Sequence, residues 1–251
     1  GQLGAALSEG LLKTERTVVP VLRHTDLPAL AKKWPDPELV LVSTGEDDLG
    51  PTLKNLPPAW KKGKVGVLQN ELIPAQWHDA GIVDPTVLAI WFEKKKQQPF
   101  VSLVPSLAYG PHKDLMAQVF AALDLPLQPL AEETEMKQAL LVKNTYIFAT
   151  NIASFRAVGT TGRLWQDHHA LAVQLMQEIS AVQSRLIRQD VPWETVQAAV
   201  KTALLADPQH KCGGRSARRR LERFLFNADR VQADVPLVRR IAQENHVIAQ
   251  A

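Results

Sequence analysis

Lys143, Ile147 and Asn151 recur every four residues in the stretch 136–155, MKQALLVKNTYIFATNIASF. The stretch is apolar and free of Gly and Pro, so it reads as a buried helix with those three residues on one stripe. A lysine and an asparagine turned inward are costly unless something pairs with them. The ammonium has three options. It can answer a structural carboxylate such as Glu135 or Asp234, snorkel to solvent, or hydrogen-bond a ligand oxygen and hand it a proton. Burial lowers a lysine pKa toward neutrality, which suits the last of these. Asn151 either cross-links helices or fixes a carboxylate or hydroxyl of the same ligand.

A second cluster opens the chain. Gly1-Gln2-Leu3-Gly4, followed by an alanine-rich helix, resembles the second half of a G-x-G-x-x-G turn. In such a turn one glycine admits backbone to a pyrophosphate and the last permits tight helix packing. On this reading a strand of roughly eight to ten residues precedes Gly1. The plain alternative is a helix N-terminus that happens to carry two glycines. Residues 17–22, TVVPVL, then read as a short strand ending in Arg23-His24-Thr25. An acidic residue there suits a free ribose 2′-hydroxyl, and an arginine suits a 2′-phosphate. Arg23 and His24 therefore point to NADP(H), against the simpler reading of an exposed strand-end charge. Asn70 closes the strand 64–69, KVGVLQ, at the end where ligands gather in open α/β sheets, or serves as a turn residue.

Composition restricts the alternatives. The chain has 251 residues, 45% hydrophobic and 22% charged, with a formal net charge of +3, and a sequence pI near 9.0. Much of the basic excess lies in 215–223, which lacks an aromatic stacking platform and reads as a solvated helix face, not a nucleic-acid surface. The single Cys212 allows no internal disulfide and reads as a surface thiol. Adjacent His168 and His169 point in different directions on a helix and cannot share one metal. No run approaches the ~20 apolar residues that span a bilayer. No signal peptide is evident, so the expectation is a cytoplasmic protein without membrane, metal or nucleic-acid partners.

The elements that must position these residues fall into two sets. Strands are expected over 17–22, 38–44, 64–69, 86–91 and 100–104, with helices after Gly4 and over 48–60 and 112–123. The lysines 94–96 fit an exposed hairpin turn. Alternating strands and helices indicate a mostly parallel, doubly wound sheet. Beyond Pro126 and Pro129, helical periodicity covers 132–157, 164–188, 193–205, 217–226 and 234–249. The fold class is α/β: a Rossmann-type domain over 1–129 followed by an all-helical domain over 130–251.

With these motifs in place the chain resembles the ketopantoate reductase (2-dehydropantoate 2-reductase) family and, more broadly, the relatives of 6-phosphogluconate dehydrogenase. That family opens with a glycine-rich turn, matched by Gly1 and Gly4, and carries a basic residue after its second strand, matched by Arg23. A central strand ending Gln-Asn-Gly is matched by Gln69-Asn70-Glu71. A helix with Lys and Asn eight residues apart is matched by Lys143 and Asn151. The family's Thr-Glu-Ile-Asp stretch is matched loosely by Val231-Gln232-Ala233-Asp234. Its Ser-Ser-Met stretch has no clean counterpart, but Arg219, Arg220 and Ser216 fall at that spacing.

The resemblance implies NADP(H) held by Gly1, Gln2, Leu3, Gly4, Arg23, His24 and Asn70. It implies a small carbonyl substrate held by Asn151, Asn70, Ser216, Arg219, Arg220 and Gln232, with Lys143 as general acid in an interdomain cleft. A homodimer is expected from the helical domain. Three departures count against ketopantoate itself: Ile147 replaces an Asn, Gln232 replaces a Glu, and the lysine after the third strand is missing from Ser43-Thr44-Gly45. They also leave a second reading, a catalytically inactive nucleotide-binding or sensor protein on the same scaffold.

Overall fold

Valine-rich runs build the sheet in the computed structural model, which describes residues 1–94, 100–157 and 159–247. β1 (Val40–Val42), β2 (Val65–Val67) and β3 (Thr86–Ala89) run parallel, with Val40 opposite Val65 and Gly66 opposite Thr86. β2 and β3 are buried along their whole length, as strands covered on both faces must be. An antiparallel hairpin of β4 (Phe92–Lys94) and β5 (Phe100–Ser102) forms a separate two-stranded sheet. β6 (Ser106–Tyr109) then returns antiparallel to β3, and β7 (Leu127–Pro129) runs parallel to β6. The main sheet has the order β1-β2-β3-β6-β7 and is mostly parallel.

Around it lie α1 (Gln2–Lys13), α2 (Leu27–Lys33), α3 (Glu46–Asn55), α4 (Pro74–His78) and α5 (Lys113–Ala121). Leu7 of α1 and Met116, Val119 and Phe120 of α5 join Leu68, Leu88 and Ala108 in one apolar core. Backbone packing divides the chain into two compact units, Gly1–Met136 and Lys137–Ala251.

The expected strand over 17–22 is absent. These residues are irregular and mostly exposed, with Val19, Val21 and Leu22 open to solvent. Their β-branched content favours a strand only where a partner and a face to bury are present. Pro20 also lacks the N–H a ladder needs. β6, β7, α2 and α4 were not expected from the sequence. They are short (four, three, seven and five residues), too brief to show a period. In the expected lysine turn, Lys95 and Lys96 lie outside the described residues.

The second unit is helical. After α6 (Glu133–Ala153) come α7 (Thr161–Gln166), α8 (His169–Ile187), α9 (Trp193–Ala206), α10 (Ala217–Arg230) and α11 (Pro236–Glu244). The periodic stretch 164–188 is two helices because residues 166–170 are all exposed, leaving no burial to carry one helix through Asp167. α8 ends at Arg188 in the left-handed conformation, and Pro192 precedes α9, as a fixed φ favours. Glu178 on α8 caps α11, its carboxylate accepting from the backbone N–H of Leu237 at 3.0 Å and Val238 at 3.1 Å. Leu175, Ile179 and Val182 of α8 are buried with Leu221 and Phe224 of α10 and Val238 and Ile241 of α11.

Candidate functional site

α6 is buried along most of its length, which its uninterrupted apolar sequence dictates. Lys143 is only 2% exposed, so its side chain does not snorkel to water. The neighbouring Asn144 is fully buried and donates to Gln183 Oε1 of α8 at 2.9 Å, tying the two helices in register. From Ala139 to Ala153 every residue is buried except Val142 and Ile147. The accessible part of that stripe is therefore Ile147, with Lys143 one turn before it and Asn151 one turn after.

Three contacts bind the C-terminal half of α6 to α10 and the loop before it. The Phe148 and Phe224 rings pack with centroids 5.3 Å apart. One turn further, Arg220 Nη1 donates to Asn151 Oδ1 at 3.2 Å, while Asn151 Nδ2 donates to the Ile147 carbonyl at 2.7 Å. Next, Ser154 Oγ donates to the Asn151 carbonyl at 2.6 Å and abuts Gly213. Gly213 has φ +78°, and a Cβ there would lie 2.3 Å from Ser154 Oγ, so both its conformation and its packing require glycine. Asn151 and Arg220, 69 residues apart in sequence, are thus brought together.

The rest of the expected substrate set is placed differently. Ser216 precedes α10 and is exposed, and Arg219 is exposed on its first turn. Gln232 lies beyond the other end of α10, about 15 Å of helix from Arg220. It is exposed with φ +52°, and its carbonyl accepts from Arg185 Nη1 at 2.8 Å. Glu135, a candidate partner for Lys143, turns its carboxylate back to the N–H groups of Ala131 and Glu132.

In the first unit, the C-terminal ends of β1 and β2 are joined by a side chain. Gln69 Nε2 donates to the Val42 carbonyl at 2.7 Å and the Thr44 carbonyl at 3.2 Å. Asn70 follows, half-buried, in a turn whose next residue, Glu71, has φ +63°. That left-handed position is where the resembling family carries glycine. Thr44 Oγ1 is buried with no hydrogen-bond partner, an orphan hydroxyl at the strand ends that sequence reasoning did not single out. Gly4 faces the same loop, where a Cβ would come within 2.6 Å of Ser43 Oγ. α1 starts at Gly1 with no side-chain cap on its first-turn amides, those of Gln2, Leu3 and Gly4. Arg23 and His24 are exposed, and Arg23 Nη2 lies 3.4 Å from Asp48 Oδ2.

Other residues singled out in the sequence play no part here. His168 and His169 are exposed, and His169 packs edge-on to Trp165. Among the described residues no group of His, Cys, Asp and Glu is arranged to hold a metal, and no helix is long and apolar enough to cross a membrane. Cys212 is not the open surface thiol expected. It is half-buried, and burial pushes its pKa up to about 11.

An α/β sheet domain followed by a helical domain, with a glycine-started helix beside the strand ends, defines the class of Rossmann-type proteins with a helical C-terminal domain. Within that class the chain has the fold of the ketopantoate reductases. A PanE/ApbA family ketopantoate reductase from Ralstonia eutropha JMP134 superposes with TM-score 0.58 at 18% identity, covering 84% of this chain and 75% of that one. A 2-dehydropantoate 2-reductase from Geobacter metallireducens GS-15 gives TM-score 0.59 at 12% identity, covering 82% and 75%. A D-mandelate dehydrogenase, solved with NADH and anilino(oxo)acetate, gives TM-score 0.58 at 9% identity, covering 84% and 75%. No protein-family model and no curated protein matches the sequence.

Proposed function

We propose that this protein is an NADP(H)-dependent reductase of a small 2-oxo acid or related carbonyl, with Lys143 as general acid. The observation that carries the reading is the stripe on α6: a lysine withdrawn from solvent, one accessible residue, then an asparagine bound to an arginine. An ammonium and a guanidinium flanking a short accessible strip suit a carbonyl and a carboxylate on one small molecule.

The nucleotide suits the residues of the first unit. The uncapped amides of Gln2, Leu3 and Gly4 suit a pyrophosphate, since helix N-termini attract anions. Gly4 lets α1 lie against Ser43 without a Cβ between them. The orphan Thr44 hydroxyl and Asn70 offer hydrogen bonds at the strand ends. Arg23 is held by an exposed ion pair of little strength, so a ribose 2′-phosphate can take the place of Asp48. A bound dihydronicotinamide would supply the hydride. The chain's own contribution is to place the carbonyl oxygen against Lys143 Nζ, which donates a hydrogen bond and passes a proton as negative charge develops there. A homodimer remains part of this reading.

The test is NADPH consumption by the full-length protein against a panel of 2-oxo acids, with Lys143→Met alongside. The substitution should lower turnover by roughly 100-fold or more while NADPH affinity is kept. Unchanged turnover in Lys143→Met would make the lysine structural. NADPH binding with no turnover of any acid would favour the sensor reading.

A further inference from the structure

The segment 14–26 joins α1 to α2 without entering the sheet, so a few polar contacts decide where it lies. Arg16 Nη1 meets Glu38 Oε2 at 2.9 Å, just ahead of β1. Arg23 Nη2 meets Asp48 Oδ2 at 3.4 Å, in the helix that follows β1. Between these two ion pairs the chain turns. The Thr25 N–H donates to the Leu22 carbonyl at 3.0 Å, and the Leu22 N–H donates to Thr25 Oγ1 at 2.9 Å. Arg23 and His24 are the central residues of that β-turn, and both are exposed. The turn fixes the Arg23 backbone. Among the described residues only Asp48 pairs with its guanidinium.

Asp48 stands in the first turn of α3 beside Glu46 and Asp47, where acidic side chains suit the positive end of a helix. That accounts for an acid at this position but not for its direction. α3 has no side-chain cap, and the Asp48 carboxylate reaches across to Arg23 instead. The pair is monodentate, with side chains 81% and 60% exposed, so it is weak and orders the arginine little. A phosphate dianion offers the same guanidinium two parallel hydrogen bonds and more charge, and so displaces the carboxylate. Asp48 then stays on the first turn of α3 with a like charge beside it. It opposes the phosphate twice, by occupying Arg23 beforehand and by repelling the anion afterwards.

We infer that Asp48 is a specificity-determining residue, which competes with the ribose 2′-phosphate for Arg23 and so limits the preference for NADPH over NADH. This rests on the reading that Arg23 receives that phosphate, and it names the group that works against it. A carboxylate that merely pre-orients Arg23 would act with the opposite sign.

The full chain is titrated at low salt with NADPH and NADH, as wild type, Asp48→Asn and Glu38→Gln, and binding is followed by fluorescence. Calorimetry with adenosine 2′,5′-bisphosphate and adenosine 5′-phosphate isolates the 2′-phosphate from the nicotinamide. Asp48→Asn should bind NADPH about 3- to 30-fold more tightly, from the lost ion pair and the lost repulsion at a solvated surface. Its NADH affinity should move by less than about twofold. The bisphosphate should gain as NADPH does, and the 5′-phosphate should not. Salt at about 0.5 M should shrink the gain, because charges this exposed are screened. Glu38→Gln removes the same charge from the other ion pair of the segment, and should keep the NADPH-to-NADH ratio within about twofold of wild type.

An Asp48→Asn protein with the wild-type preference, or with weaker NADPH binding, overturns the inference. An equal gain in Glu38→Gln overturns it too, since net charge and not competition for Arg23 would then be the cause. Wild-type protein that binds neither NADPH nor the bisphosphate removes the cofactor reading and the inference together. A preference for NADPH that Arg23→Glu erases and Asp48→Asn leaves unmoved keeps the cofactor reading and sinks the inference alone.

Discussion

Replacing Gly213 with alanine probes the packing that brings α10 to α6, and its cost has two separable parts. The first is conformational. At φ +78° an L-residue is strained, by about 1–2 kcal/mol. The second is steric: the added Cβ would lie 2.3 Å from Ser154 Oγ and 2.5 Å from its Cβ, and overpacking of this kind costs about 1–3 kcal/mol. Together they give roughly 2–5 kcal/mol for Gly213→Ala. Ser154→Gly removes both clashing atoms and loses the hydrogen bond to the Asn151 carbonyl, about 1 kcal/mol.

In the double variant the steric part should vanish and the conformational part remain. Chemical denaturation of the four proteins should then show a favourable coupling of about 1–3 kcal/mol. Additivity within about 0.5 kcal/mol would mean that Gly213 and Ser154 do not meet, and the register of α10 against α6 would have to be revised.

Two further outcomes follow from local geometry. Glu178→Ala strips two N–H acceptors from the start of α11; it should cost about 1–2 kcal/mol and speed amide exchange at Leu237 and Val238, and unchanged exchange would contradict the cap. Cys212, raised to about 11 by burial, holds almost no thiolate at neutral pH. Its alkylation rate in the folded protein should keep climbing about tenfold per pH unit past pH 9. Because the folded state keeps the thiol protonated while the unfolded chain ionises from about 9.0, this group's contribution to stability falls as pH rises from 9 to 11. A plateau in alkylation near pH 9 would place the thiol in water.

What was legible in the sequence followed burial and length. α6 was readable because twenty residues without Gly or Pro admit one period, and the helical second half was readable for the same reason. β1, β2 and β3 announced themselves as apolar runs. Residues 17–22 carried the same composition, but strand formation depends on a partner strand, which no local pattern encodes. β6 and β7 were hidden by their brevity and by Pro129. Lys143 and Asn151 could be placed on one stripe by spacing alone. The choice of Arg220 over Arg219 could not, because it depends on the rotation of α10 about its axis, set by Phe224 against Phe148. Thr44 gave no signal at all, since an orphan hydroxyl is defined only by what surrounds it.

That the first unit binds a phosphorylated nicotinamide nucleotide is the proposal on which the reductase role depends. It is tested most directly by fluorescence titration of the full-length protein with NADPH and with NADH, repeated in Arg23→Glu. NADPH should bind more tightly than NADH, with the preference erased or reversed by the substitution. Equal affinity for the two nucleotides, untouched by Arg23→Glu, would contradict the 2′-phosphate assignment, and failure to bind either would rule out a nicotinamide nucleotide in the first unit.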